Sequence, residues 1–144
     1  MKTSGPHIRL VLWKAHKAVE TVDKASISAT GLGLSDFAVL EAVLHKGPMP
    51  VNAIGKKVLL TSGSISTAVD RLSNKGLVRR RQDPADGRVY RVHLTEEGRR
   101  VIEEAFARHR RNLEKAAEVL TAEERQTLVR LLKKLGRHAE TLRS

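Results

Sequence analysis

The 144 residues carry 27 Lys and Arg against 16 Asp and Glu, a formal net charge of +11, and contain no cysteine. The length suits one domain, or one domain with an oligomerisation element; the missing cysteines exclude disulfides, thiolate nucleophiles and thiol redox switches, and fit a reducing cytosol. With two Phe, one Tyr and one Trp, the core must be packed by Leu, Val, Ile and Ala, which favours helices over a large sheet.

In chain order, no signal peptide is expected. Met1–His7 leads into an apolar stretch interrupted by Arg9 and Lys14, and no apolar run nears the ~20 residues that span a bilayer, so no membrane partner is expected. From His7 to about Ala29, Ile8, Val11, Leu12, Ala15, Val19, Val22 and Ala25 recur at helical spacing, and Gly31 and Gly33 end the pattern. Ser35 is expected to cap a second helix, with Asp36 in its first turn and Phe37, Val39, Leu40, Val43 and Leu44 as its apolar face; Gly47-Pro48 ends it. A third helix spans Val51 to about Val58. A fourth starts near Ser62, with small hydroxyls in its first turn, and stops at Gly76.

Two short alternating runs follow, Leu77–Arg81 and Val89–Leu94, joined by the tip Asp83-Pro84-Ala85-Asp86-Gly87. Thr95 then caps a long helix with Glu96 and Glu97 in its first turn. Thr121-Ala-Glu-Glu124 reads as a capping box opening a last helix striped by Leu128, Leu131, Leu132, Leu135, Ala139 and Leu142. Helix, turn, helix and a ribbon with arginines at its tip is the order of a winged helix-turn-helix. The fold class expected is therefore mainly α with a small β-wing. A helix with a small polar first turn fits the ~12 Å major groove, and a basic hairpin beside it reaches the backbone or minor groove.

Charge and helix patterning support a nucleic-acid partner. Between Lys56 and Arg100 lie eleven Lys or Arg and five acids, a surplus that drives association with a polyanion through counterion release. Amphipathic helices at both chain ends exceed what the winged helix needs for its own core. A second copy about a two-fold axis is the economical partner; folding back onto their own domain is the other use of those stripes. The phosphate loops, G-x-S-x-G and H-E-x-x-H patterns of enzymes are missing, so no catalytic residue is assigned. His7, His16, His45, His93, His109 and His138 form no pair at three- or four-residue spacing, so no metal and no cofactor is expected.

These residues resemble the MarR family, the multiple antibiotic resistance regulators of bacteria. The resemblance covers nearly the whole chain. It is sharpest at Asp83-Pro84-x-Asp86-x-Arg88 with Val92-x-Leu94-Thr95, joined to Arg71-Leu72-x-x-Lys75-Gly76-Leu77-Val78-x-Arg80, and includes Leu34-Ser35-Asp36-Phe37-Ala38-Val39-Leu40. The stretch Thr61-Ser62-Gly63-Ser64-Ile65-Ser66 further resembles members that answer hydroquinones and related phenols. The resemblance implies one MarR-type domain over 1–144, with dimerisation helices at 1–30 and 96–144 and a winged helix-turn-helix lobe at 34–95. It also implies an obligate homodimer on a pseudo-palindromic double-stranded DNA operator, usually a repressor, relieved by a small phenolic anion lodged between dimerisation helices and DNA-binding lobe. A sequence-tolerant architectural DNA-binding protein is the alternative.

Residue by residue, Ser62, Ser64, Ser66 and Thr67 open the expected recognition helix, and Ser62 or Thr61 caps it. Ser64, Thr67 and Arg71 share one helical face and can meet phosphates or base edges, while Ile65, Val69 and Leu72 face the core. The family pattern places Arg88 in the minor groove with Asp86 orienting it; the bland reading is a surface ion pair. Arg79, Arg80, Arg81 and Arg91 alternate across the ribbon, so only some face DNA, and Arg80 belongs to the matched motif. Lys56 and Lys57 touch backbone or lie on a solvated face. Trp13, His16, Phe37 and His45 take the helix 1 and 2 placement of the family's effector pocket, with ordinary core or surface roles open for each. Lacking cysteine, the chain can answer quinones or oxidants only non-covalently or through another residue type.

Overall fold

A computed structural model describes residues 2–58 and 62–143, the side chains of 56–58 and 62 excepted. The expected roles of Thr61, and of the Lys56, Lys57 and Ser62 side chains, therefore lie outside the described residues. The elements are α1 (Gly5–Ser28), α2 (Leu34–Lys46), β1 (Met49–Pro50), α3 (Val51–Val58), α4 (Ser62–Asn74), β2 (Val78–Gln82), β3 (Tyr90–Leu94), α5 (Glu96–Ala117) and α6 (Ala122–Thr141). They form two compact units, Met1–Leu113 and Glu114–Ser144.

In the first unit, α1 starts two residues before the apolar pattern does. Ser4 caps it, accepting from the His7 amide at 3.3 Å, and Pro6 sits in the first turn, where its missing N–H costs nothing. The cap of α2 differs from expectation. Gly33, in extended backbone, accepts the Phe37 amide at 2.9 Å, so the helix opens at Leu34 and Ser35 lies inside it. No side chain is needed there because the backbone carbonyl of Gly33 already closes the first turn. At the other end Gly47 adopts φ +80° and donates its amide to Val43, as a helix-stopping glycine does.

The ribbon is one strand richer than its sequence pattern. β3 lies between β2 and the two-residue β1, all antiparallel, with Met49 opposite Val92 and Pro50 opposite Arg91. A two-residue strand ending in proline carries no alternation to read. Phe37, Val39 and Leu40 of α2, Ile54 of α3, Ile65, Val69 and Leu72 of α4, Val92 of β3 and Ile102 of α5 are essentially inaccessible and form one core. Each large side chain buried this way stabilises the lobe by about 1.5–3 kcal/mol before entropy is charged against it.

The junction of α4, wing and α5 is drawn very tight. Gly76, at φ +75°, lets the Leu77 amide fold back onto the Leu72 carbonyl at 2.9 Å and end α4. Thr95 caps α5 as expected, accepting the Gly98 amide at 3.0 Å. Its hydroxyl also donates to the Gly76 carbonyl at 2.7 Å, and its amide donates to Leu77 at 3.1 Å.

In the second unit, Thr121 and Glu124 complete the expected capping box. The Thr121 hydroxyl accepts from the Glu124 amide at 3.1 Å, and the Glu124 carboxylate accepts from the Thr121 amide at 2.9 Å. Arg125 adds a 2.8 Å ion pair to Glu114. No residue of α6 is buried, although Leu128, Leu131, Leu132 and Leu135 form a leucine stripe along it. In α1 the same is true of Ile8, Val11, Leu12 and Val19, which are exposed.

A glycine inside a helix normally weakens it by about 1 kcal/mol relative to alanine, so Gly98→Ala would ordinarily stabilise. Here a Cβ on Gly98 would stand 1.8 Å from the Leu77 carbonyl oxygen, a backbone atom that cannot swing away. We expect Gly98→Ala to cost more than about 2 kcal/mol in urea unfolding, by forcing α5 off the base of the wing. An unchanged or raised midpoint would show that the junction is looser than described.

Candidate nucleic-acid interface

The hydroxyl-rich helix α4 divides cleanly along its length. Ile65, Ala68, Val69 and Leu72 are buried at the three- and four-residue spacing that defines one helical face. Ser64, Ser66 and Thr67 are all exposed, near the start of the same helix. The exposed set is small and polar, so it presents donors and acceptors without bulk.

Arg71 has a different employment from the one its helical face implies. Its guanidinium forks onto the carboxylate of Asp36 in α2, with Nε 3.0 and 3.2 Å from the two oxygens and Nη2 2.5 Å from Oδ1. The Asp36 side chain is 5% exposed and that of Arg71 44%. This hydrogen bond, and then the carboxylate charge, raise the guanidinium pKa above its ordinary value, so it is permanently ionised. The pair ties the last turn of α4 to the start of α2. It draws the donors of Arg71 towards the protein and leaves part of its surface exposed.

Two Asp–Arg pairs build the wing. Asp86 accepts both the backbone amide of Arg88 at 3.0 Å and its Nε at 3.2 Å, which turns the carboxylate into a bracket for the arginine. Arg88 is nonetheless 91% exposed, the most open of the paired arginines. Asp83 accepts the Ala85 amide at 2.7 Å and Arg91 Nε at 2.9 Å. Gln82 donates across the hairpin to the Gly87 carbonyl at 2.6 Å, closing the tip. Both carboxyls are held below their usual range, Asp86 chiefly by the Arg88 side chain and Asp83 chiefly by the Ala85 amide. A depressed carboxylate lends order above its unfolded pKa and loses it as pH falls through its folded one, so the tip is set at neutral pH and loosens in acid.

Arg80 is accounted for by register. It lies opposite the buried Val92, hence on the inner face of the sheet, and its guanidinium pairs with Asp70 of α4 at 2.7 Å. Arg79, Arg81 and Arg91 occupy the outer face.

The four residues expected around an effector do not converge. Phe37 is core, and His45 stacks edge-on against Phe106 of α5 with centroids 4.5 Å apart. Trp13 is 55% exposed on α1, and His16 pairs on the surface with Glu20 at 3.4 Å. At ~1.5 Å per residue, Trp13 lies roughly 15 Å along α1 from the end of that helix that meets α5. That end holds a constellation the sequence did not disclose. His109 is buried, with Nδ1 3.0 Å from the Ser26 hydroxyl and Nε2 3.3 Å from Asp23. Ser26 also accepts from Asn112 at 3.0 Å, so one hydroxyl joins the imidazole and the amide. Phe37 meets the imidazole edge-on at 5.0 Å. Burial raises the nearby Glu41 carboxyl above its usual pKa, against the pull of His45 and His109. The i, i+3 pair Phe106 and His109 was the available signal; among scattered histidines it carried no weight. Among the described residues, no three His, Asp or Glu gather as a metal site.

Removing either partner of the Asp36–Arg71 pair should be unequal in effect. Arg71→Ala strands a buried carboxylate, which costs about 2–4 kcal/mol; Asp36→Ala leaves a guanidinium that water can reach. We expect denaturant unfolding to rank Arg71→Ala clearly below Asp36→Ala, and equal losses would mean that the carboxylate is hydrated.

Comparison with known proteins agrees with this architecture. A family model described as MarR family matches residues 30–89. The HTH-type transcriptional regulator MhqR of Bacillus subtilis is 36% identical over 91% of this chain and 90% of its own. A MarR variant from E. coli, solved in complex with operator DNA, superposes with TM-score 0.74 at 26% identity, covering 91% of this chain and 94% of that one. The PcaV transcriptional regulator from Streptomyces coelicolor, solved with its natural ligand, gives TM-score 0.69 at 26% identity over 95% of this chain and 94% of that one. The chain therefore belongs to the MarR family: it is a winged-helix transcriptional regulator and not an enzyme.

Proposed function

We propose that the chain acts in the cytoplasm as a homodimeric repressor of a pseudo-palindromic DNA operator, released by a small phenolic or other aromatic ligand. In this reading Ser62, Ser64, Ser66 and Thr67 approach base edges and phosphates in the major groove, and Arg88 enters the adjacent minor groove. Arg71, Arg80 and Asp86 serve largely from behind, as the fixings of the recognition helix and wing. The observation that carries the proposal is Arg88, 91% exposed yet bracketed at backbone and side chain by Asp86. An exposed arginine ordinarily keeps its rotamer entropy. One that is oriented in advance loses less when it enters a narrow groove.

The exposed apolar stripes of α1 and α6 support dimerisation, because each helix offers leucine- or valine-lined surface that its own unit leaves uncovered. A relative solved with its natural ligand supports a small-molecule signal. Sedimentation at low micromolar concentration should give about twice the 16.0 kDa chain mass. A monomer that still binds a palindrome tightly would remove the two-fold reading.

For DNA, fragments enriched from the host genome on the immobilised protein supply the operator. On it, Arg88→Ala should weaken binding several-fold to about a hundred-fold, flatten the salt slope by about one unit per subunit, and relax A·T preference at the half-site flank. Wild-type affinity across that series would take the wing off the DNA. Indifference to operator sequence, where a repressor should discriminate by ~10³-fold or more, would favour the architectural alternative.

A further inference from the structure

The outer face of the wing sheet collects four basic side chains, of which Arg91 alone is paired with the tip. Residues opposite one another in a sheet share a face, and successive residues alternate. Register sets Arg79 opposite His93 and Arg81 opposite Arg91, so four basic side chains stand together on the face turned away from Val92 and the core. Arg91 has Asp83 as its partner at 2.9 Å. Arg79 and Arg81 are exposed and form no ion pair among the described residues. With His93 they line one side of a groove of about 860 Å³, whose other side is the start of α5, with Glu96 and Glu97. Glu97 already leans to Arg100 at 3.4 Å.

Like charges directly opposite on a sheet repel, and Asp83 answers only Arg91, so Arg79 and Arg81 leave a surplus of positive charge on this face. Burial, and then Arg81 and Arg91, hold the His93 imidazole below the ordinary range, so near neutral pH it is the one group there whose charge can change. We propose that Arg79, Arg81 and His93 form a second phosphate-contacting surface, which takes the sugar-phosphate backbone of DNA flanking the site and binds a proton at His93 as it does so. The inference rests on the chain binding duplex DNA, and it adds a pH-linked contact to that reading. A phosphate beside Arg81 cancels the repulsion that disfavours protonated His93, so the complex binds more protons than the free protein. Affinity gained at low pH is then lost as pH rises through the pKa that His93 has in the complex.

Because backbone contacts ignore sequence, a mixed-sequence duplex of about 30 base pairs serves as the probe, titrated by anisotropy at about pH 6, 7 and 8 and at several salt concentrations. Wild type should bind about three- to ten-fold more tightly at the lowest pH than at the highest. His93→Gln should flatten that dependence, and His93→Lys should hold the low-pH affinity throughout, since its charge is fixed. The double variant Arg79→Gln/Arg81→Gln should bind about ten-fold more weakly, with a salt slope shallower by about two units per subunit. Its circular dichroism should match wild type, because both side chains are exposed. Three results overturn the proposal: an unchanged salt slope in the double variant, a pH dependence that survives in His93→Gln, or His93→Lys titrating like wild type. If Arg88→Ala still weakens binding in those cases, the DNA-binding reading stands without this surface. If wild type fails to bind the duplex even at low salt, both fall together.

Discussion

A carboxylate sealed from water must have its charge answered, and Asp36 is answered by a guanidinium 35 residues further along the chain. That requirement fixes where the hydroxyl-rich helix lies. A bidentate fork has one good geometry, so Arg71 sets both the distance and the rotation of α4 against the start of α2. Next to Asp36, Phe37 meets the His109 ring of α5, and two and a half turns beyond Asp36 the same α2 presents His45 to Phe106. α2 is thus gripped at its start by an ion pair and a ring contact, and at its end by a second ring contact. Apolar packing under α4 would tolerate small rotations; the ion pair does not.

The wing follows another rule. Its tip has no core to hold it, so order comes from local hydrogen bonds: Asp83 onto Ala85, Asp86 onto Arg88, Gln82 onto Gly87. Exposed ion pairs contribute little to global stability. Here their effect is on conformation, because each carboxylate binds a backbone amide and an arginine together. Asp86, which lowers the net charge of the wing, also keeps Arg88, the most exposed of the paired arginines, in place.

Much of this architecture was legible from residue spacing. Periodicity located every helix to within a few residues, because each buries one continuous stripe, as Ile65, Val69 and Leu72 do. Thr95 and the Thr121–Glu124 box announced their helices by chemistry local to four residues. The chain alone gave no access to long-range pairing. Nothing near Arg71 in sequence says that its partner is Asp36, and Asp36 read as an ordinary first-turn acid at a helix start. His109 was hidden for the same reason: Asp23 and Ser26, which satisfy it, are more than eighty residues away. β1 escaped because two residues have no period, and Ser35 misled because a backbone carbonyl did the work of a cap.

The clasp at Thr95 has a consequence for how this fold can vary. Its hydroxyl and amide bind Gly76 and Leu77, and the bare Cα of Gly98 rests on the same peptide, so the wing is a loop knotted at its neck by atoms outside it. Chain entropy within such a loop grows only logarithmically, and doubling its length costs about 0.6 kcal/mol. The neck is therefore intolerant of a single methyl group, while the hairpin beyond it is thermodynamically free to lengthen or shorten. A scaffold arranged this way can alter how far an arginine reaches without disturbing the helices that carry it.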